Sequence, residues 1–138
     1  MIENVKQIDI SGDVGLEIYG SDIKAVFTNA ALGLYRLITP STVADVETIN
    51  LTVTGENIEN LLIKWLNELI YIFDVDGLVA SRVIIQNIIE TELFAVIVGD
   101  FFDTEKYERG LLIKAATYHN FVLKKQNNGY IAKVIFDI

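Results

Sequence analysis

Cysteine is absent from this chain. Its absence removes disulfides, thiolate metal sites and thiol catalysis, and agrees with a reducing compartment. Histidine occurs once, as His119, so a serine triad would have to use that residue, and no nucleophile-elbow pattern accompanies it. No glycine-rich stretch runs into Lys-Ser or Lys-Thr, which excludes a phosphate-binding P-loop. Positive charge is also scarce: 11 Lys and Arg stand against 19 Asp and Glu, a net charge of -8. The basic residues are scattered rather than clustered, so direct binding to nucleic acid is not expected. No apolar run reaches the roughly 18 residues of a membrane span, and residues 1–7 do not form a signal peptide. The expectation is a cytoplasmic protein with no membrane partner.

What is present supports a core. With 51% hydrophobic residues in 138, one domain over residues 1–138 can bury roughly 70% of the surface its unfolded chain exposes. Residues 8–19 alternate apolar and polar as a strand does, interrupted by Ser11-Gly12. Ser21 or Asp22 then offers an N-cap to a helix whose stripe is Ile23, Val26, Phe27, Ala30, Leu34 and Ile38, ending before Pro40. Residues 47–54 alternate again. A second helix over residues 56–73 carries Leu61, Leu62, Trp65, Leu66 and Leu69 on one face, read as core, and closes at Asp74-Val75-Asp76-Gly77. That closing run lacks the ligand series of a calcium loop. Residues 83–89 and 93–98 form a hairpin, and a long strand over residues 111–124 joins the final strand through Asn128-Gly129. The order argues for an α+β, two-layer domain: a mostly antiparallel sheet of about six strands with two amphipathic helices packed on one face.

The last strand runs to Asp137 and the carboxylate of Ile138. Strand parity turns Asp13 and Asp137 away from the apolar sides of their strands, and puts Lys114 and Tyr118 on the less apolar side of residues 111–124, with His119 on the other. Asp13, Asp137 and the Ile138 carboxylate are hard oxygen donors of the kind that Ca²⁺, Mg²⁺ or Mn²⁺ prefers. On composition alone, solvated strand-end charges are the preferred reading of the same residues. Lys114 reads as a snorkelling surface lysine or as a partner to that acidic end, and His119 as a structural histidine. Phe101 and Phe102, in the acidic loop of residues 99–110, are either interface anchors or core.

Five blocks in order resemble the archease family across nearly the whole chain: DISGDVGLEIYG, WLNELIYIFD, GDFFDTEKY, IKAATYH and the terminal VIFDI. Archeases are protein cofactors of the tRNA-splicing RNA ligase, which joins RNA ends through a histidine-linked guanylate. The resemblance implies a non-enzymatic activator that stimulates formation of the ligase–guanylate intermediate and multiple turnover through a divalent-metal-binding acidic tip, with calcium the first expectation. Carried over by position, Asp13, Asp137 and Ile138 match the metal-binding residues, Lys114 a functional lysine and Asp9 the leading acidic residue. Two positions depart from the pattern: Ile10 and Tyr107 stand where the family usually has histidines. The alternative is a metal-independent chaperone or modulator of an RNA-modifying enzyme, such as a tRNA-modifying enzyme, with residues 100–108 as its contact.

Overall fold

A computed structural model describes residues 4–138. Strands β1 (Val5–Ile10) and β2 (Asp13–Gly20) form a hairpin about Ser11 and Gly12, whose φ of +80° is accessible to glycine at little cost. Helix α1 (Ile23–Ile38) begins where the Asp22 carboxylate accepts a 2.8 Å bond from the Ala25 N–H, a cap worth about 1 kcal/mol. It stops at Thr39, one residue before Pro40. β3 (Glu47–Thr54) leads to α2 (Ile58–Asp76), capped by Asn57 and closed by Gly77 at φ +78°. The closing run therefore terminates the helix as expected, although α2 extends three residues past Phe73. β4 (Leu78–Ile89), β5 (Glu92–Phe101), β6 (Ala115–Gln126) and β7 (Gly129–Asp137) complete the fold.

The α+β class holds, with all strand pairs antiparallel. The described strands number seven rather than about six, because the turn at Ser11-Gly12 splits residues 8–19 into two. They form two sheets, β1-β2-β7-β6 and β3-β5-β4, rather than one. Each sheet gives one side to the core. In the first, Leu16 pairs with Val134 and Ile18 with Ala132, all buried; in the second, Leu93, Ala95 and Ile97 of β5 do the same. α1 packs on β2 and β4 and thus touches both sheets, whereas α2 lies against β6 and β3. The fully buried Trp65 joins the helices, its indole N–H donating to the Phe27 carbonyl at 3.0 Å. The aromatic stripe is core, as its periodicity implies.

β6 departs most from expectation. It begins at Ala115, not near residue 111, and its register against β7 breaks between Thr117 and Val122, with Asn120 at φ +50°. Such a bulge resets side-chain parity. Even before the break the expected parity is reversed: Ala116 pairs with the core residue Phe136 and is buried, while Ala115, opposite Asp137, and Thr117 take the other side; His119, in the irregular stretch, is exposed with its ring 3.4 Å from the Asn120 amide.

Candidate functional site

The final strand is central to its sheet. β7 lies between β2 and β6, which brings the ends of three strands far apart in sequence to one edge. Val14 pairs with Phe136, so one step further along the antiparallel register sets Asp13 against Asp137. Directly opposed residues hold their Cβ atoms about 5 Å apart and share a sheet face. Because Val14 and Phe136 are buried, Asp13 and Asp137 take the opposite, outward face. Asp13 is partly exposed, Asp137 and Ile138 are exposed, and neither aspartate forms an ion pair among the described residues. Two like charges facing each other without a counter-charge repel.

The third strand contributes its backbone. Ala115 pairs with Asp137, and the Lys114 N–H donates to the Asp137 carbonyl at 2.9 Å. Lys114 thus stands beside Asp137, just outside β6, with its exposed ammonium in no ion pair among the described residues. Asn67 of α2 secures this edge: its amide donates to the Ala116 carbonyl at 3.2 Å and accepts from the Ala116 N–H at 2.8 Å. Sequence reading passed over Asn67 because it lies off the apolar stripe, and nothing local signals a reciprocal bond to a strand 49 residues away.

Two other positions fall differently. Asp9 pairs with Val14, on the face opposite to Asp13, and is exposed on edge strand β1 with a 3.4 Å bond from the Gln7 amide. Ile10, where the resemblance expects a histidine, pairs directly with Asp13 across the turn. An alkyl group therefore flanks the acidic pair. Among the described residues no three His, Cys, Asp or Glu side chains converge. The chemistry available is a pair of hard oxygen donors open to solvent, beside the Ile138 end and an unpaired lysine.

A second acidic centre is built in the opposite way. Asp100, only 5% exposed, accepts from the Tyr107 hydroxyl at 2.7 Å and the Phe101 N–H at 2.8 Å, with the Lys106 ammonium 3.6 Å away. The Tyr107 hydroxyl foremost, then the Phe101 N–H and Lys106, hold its carboxyl below the ordinary value against the opposing cost of burial. The same hydroxyl accepts from the Ala44 N–H at 3.2 Å, and the Tyr107 ring packs beside Phe102. Tyr107 therefore anchors residues 100–110 to the segment before β3. The two loop phenylalanines divide: Phe101 is 49% exposed, while Phe102 packs against the core with its edge to Phe73 and Arg109 over its ring.

Comparison with known proteins places this arrangement. Residues 6–138 match the model of the Archease protein family (MTH1598/TM1083). The chain is 33% identical over 136 residues to the protein archease of Methanosarcina acetivorans, covering 95% of this chain and 93% of that one. It is 36% identical over 132 residues to that of Saccharolobus islandicus strain M.14.25, covering 93% and 94%. The solution structure of Methanobacterium thermoautotrophicum protein 1598 superimposes with a TM-score of 0.82 at 29% identity, over 98% of this chain and 99% of the other. The crystal structure of a Thermotoga maritima archease, described as a possible chaperone, shares the fold with a TM-score of 0.70 at 23% identity, over 96% of each chain. With the family model spanning both the β1–β2 turn that carries Asp13 and the strand end that carries Asp137, the chain belongs to the archease family.

Proposed function

We propose that this protein is a non-enzymatic activator of the tRNA-splicing RNA ligase, stimulating formation of the ligase–guanylate intermediate and repeated turnover through the outward acidic end of its four-stranded sheet. The observation that supports this most directly is the register that opposes Asp13 and Asp137 on one exposed face with no ion-pair partner among the described residues. A divalent cation relieves that repulsion, and two carboxylates suit a hard ion such as Ca²⁺, with Mg²⁺ or Mn²⁺ as substitutes. Two side chains do not fill such a shell. Ile138, which the resemblance assigns as a ligand, together with water or groups from the ligase, would complete it. The bound ion would supply fixed positive charge at an otherwise acidic tip, beside groups of the ligase that bear on guanylate transfer.

The chain's own residues do the rest. Asn67 ties β6 to α2, and the Lys114 N–H ties the chain just before β6 to the Asp137 carbonyl, and together they fix where Asp137 stands. The Lys114 ammonium, exposed and in no ion pair among the described residues, would meet an anionic group of the ligase complex. A net charge of -8 steers the domain toward the basic surface an RNA ligase needs for its substrate, without competition for the RNA. The protein acts in the cytoplasm on this reading.

The test is ligase guanylylation followed with and without the purified protein. Asp137→Ala should keep its fold and lose stimulation; full stimulation by that variant would sink the proposal. A second reading, a metal-independent chaperone or modulator, draws on the half-exposed Phe101 beside the exposed Asp103. Partner capture with and without a chelator separates the two, because only the first requires the ion.

A further inference from the structure

Each sheet has two outer strands, β1 and β6 in one, β3 and β4 in the other. An outer strand presents a row of unpaired N–H and C=O groups, which proteins ordinarily blunt with short length, bulges, charged side chains, proline or a covering element. Three of these strands are blunted. β1 has only six residues and carries Lys6. β6 has its register broken past Thr117, carries Lys124 and Lys125, and has both backbone groups of Ala116 taken by Asn67 of α2. β4 has two register shifts, carries Arg82 and packs beside α1.

β3 has none of these devices. Its eight residues pair with β5 in one unbroken register, from Glu47 against Gly99 to Thr54 against Glu92. It contains no proline, lysine or arginine, and its far edge pairs with no other strand among the described residues. Its side chains divide by face: Thr48, Asn50, Thr52 and Thr54 are exposed, whereas Ile49 and Leu51 are half-buried and Val53 is buried. From Thr48 to Thr54 there is no charge, in a chain whose net charge is -8. Two copies of so acidic a chain repel at long range, and a charge-free strip is where they can meet.

We infer that β3 is the contact through which two copies of this chain pair, antiparallel about a two-fold axis at Leu51, joining their three-stranded sheets edge to edge. A two-fold contact needs a surface complementary to itself. This strand supplies one. With the axis at Leu51, Ile49 faces the partner's Val53, Leu51 faces the partner's Leu51, and Thr48 and Asn50 face the partner's Thr54 and Thr52. Apolar pairs and threonine pairs at opposed positions stabilise a sheet, and Glu47 falls opposite the partner's Gly55, so no like charges oppose. The half-buried Ile49 and Leu51 lose their remaining contact with water. β3 belongs to the sheet without β2 and β7, so the contact needs no bound ion and leaves the acidic end of each copy free.

Sedimentation velocity on the full-length protein should show a monomer–dimer equilibrium that shifts with concentration, and amide exchange over residues 48–54 should slow as the dimer fills. Asn50→Lys and Thr52→Asp, both on exposed positions outside the core, should each weaken the dimer at least tenfold. Mixed together they should recover it, because position 50 of one copy faces position 52 of the other. A monomer at every concentration up to millimolar, a dimer undiminished by either variant, or slowed exchange on β1, β4 or β6 instead would overturn the contact. Failure of the mixture to recover would overturn the register about Leu51. A monomer whose β3 amides are protected only when another protein is added would overturn the second copy as occupant and give the edge to a strand of that protein.

Discussion

Asp100 and Asp137 are the same side chain in opposite circumstances. Asp100 is buried and met by a phenol, a backbone N–H and an ammonium. Asp137 is exposed, faces another aspartate and pairs with no cation among the described residues. A carboxylate whose acceptor sites are filled by its own chain holds structure in place, whereas one left facing a like charge keeps its binding capacity for something from outside. The contrast separates a loop anchor from a functional candidate within a single acidic protein.

The largest test of it is Tyr107→Ala. Loss of this buried ring and its hydroxyl should cost about 3–5 kcal/mol in urea unfolding, while Asp137→Ala and Asp13→Ala should stay within about 0.5 kcal/mol of the parent. An Asp137→Ala variant as unstable as Tyr107→Ala would erase the distinction.

Tyr107→Phe should cost less than Tyr107→Ala, and its effect should depend on pH. Folding lowers the Asp100 pKa, so the contribution of that carboxylate is complete above the unfolded value near 3.8 and fades as pH falls through the lower folded value. The stability gap between parent and Tyr107→Phe should therefore narrow in acid. A gap that widened on acidification would mean that the hydroxyl does not act through the carboxylate.

Asp137→Asn should go the other way. Removing one of two facing charges is expected to stabilise the metal-free protein by up to about 0.5 kcal/mol at low salt, with the gain vanishing near 1 M salt. Added Ca²⁺ should stabilise the parent and not the variant, read as a shift in melting temperature. The smallest change belongs to Lys106→Met: its side chain is 60% exposed, and an exposed partner adds little to Asp100 beyond what Tyr107 supplies. A large loss there would show that the ammonium, not the phenol, secures the loop.

Much of the fold was legible along the chain. Both helices follow from apolar spacing and their caps from Asp22 and Gly77, because these are contacts within a few residues. Gln126-Asn127-Asn128-Gly129 marked the last hairpin, and the observed turn between β6 and β7 occupies it. The strand count and the start of β6 were less legible. Ser11-Gly12 reads as an interruption, and only pairing of β1 with β2 makes it a turn; residues 111–114 are apolar enough for a strand, yet their backbone goes partly to α1 through the bond from the Leu111 N–H to the Leu37 carbonyl. Parity also failed from Ala115 on, where Ala116 and not Ala115 or Thr117 joins Phe136 on the core side, and alternation contains no signal for the bulge past Thr117. The acidic end was readable as residue types and, through the resemblance, as positions. The Asp100–Tyr107 bond was not: position 107 counted as a departure from the family pattern, and the structure gives its phenol a partner seven residues away.

The sequence by itself determined local structure: periodicity, caps and turn residues act over three to four neighbours, and those neighbours are fixed by chain order. Only the tertiary structure decided that β7 lies between β2 and β6, that the strands divide into two sheets, and that Asp13 stands against Asp137 across more than a hundred residues. Those choices depend on which apolar faces bury each other best. That is a sum over the whole core, and no single stretch of sequence carries it.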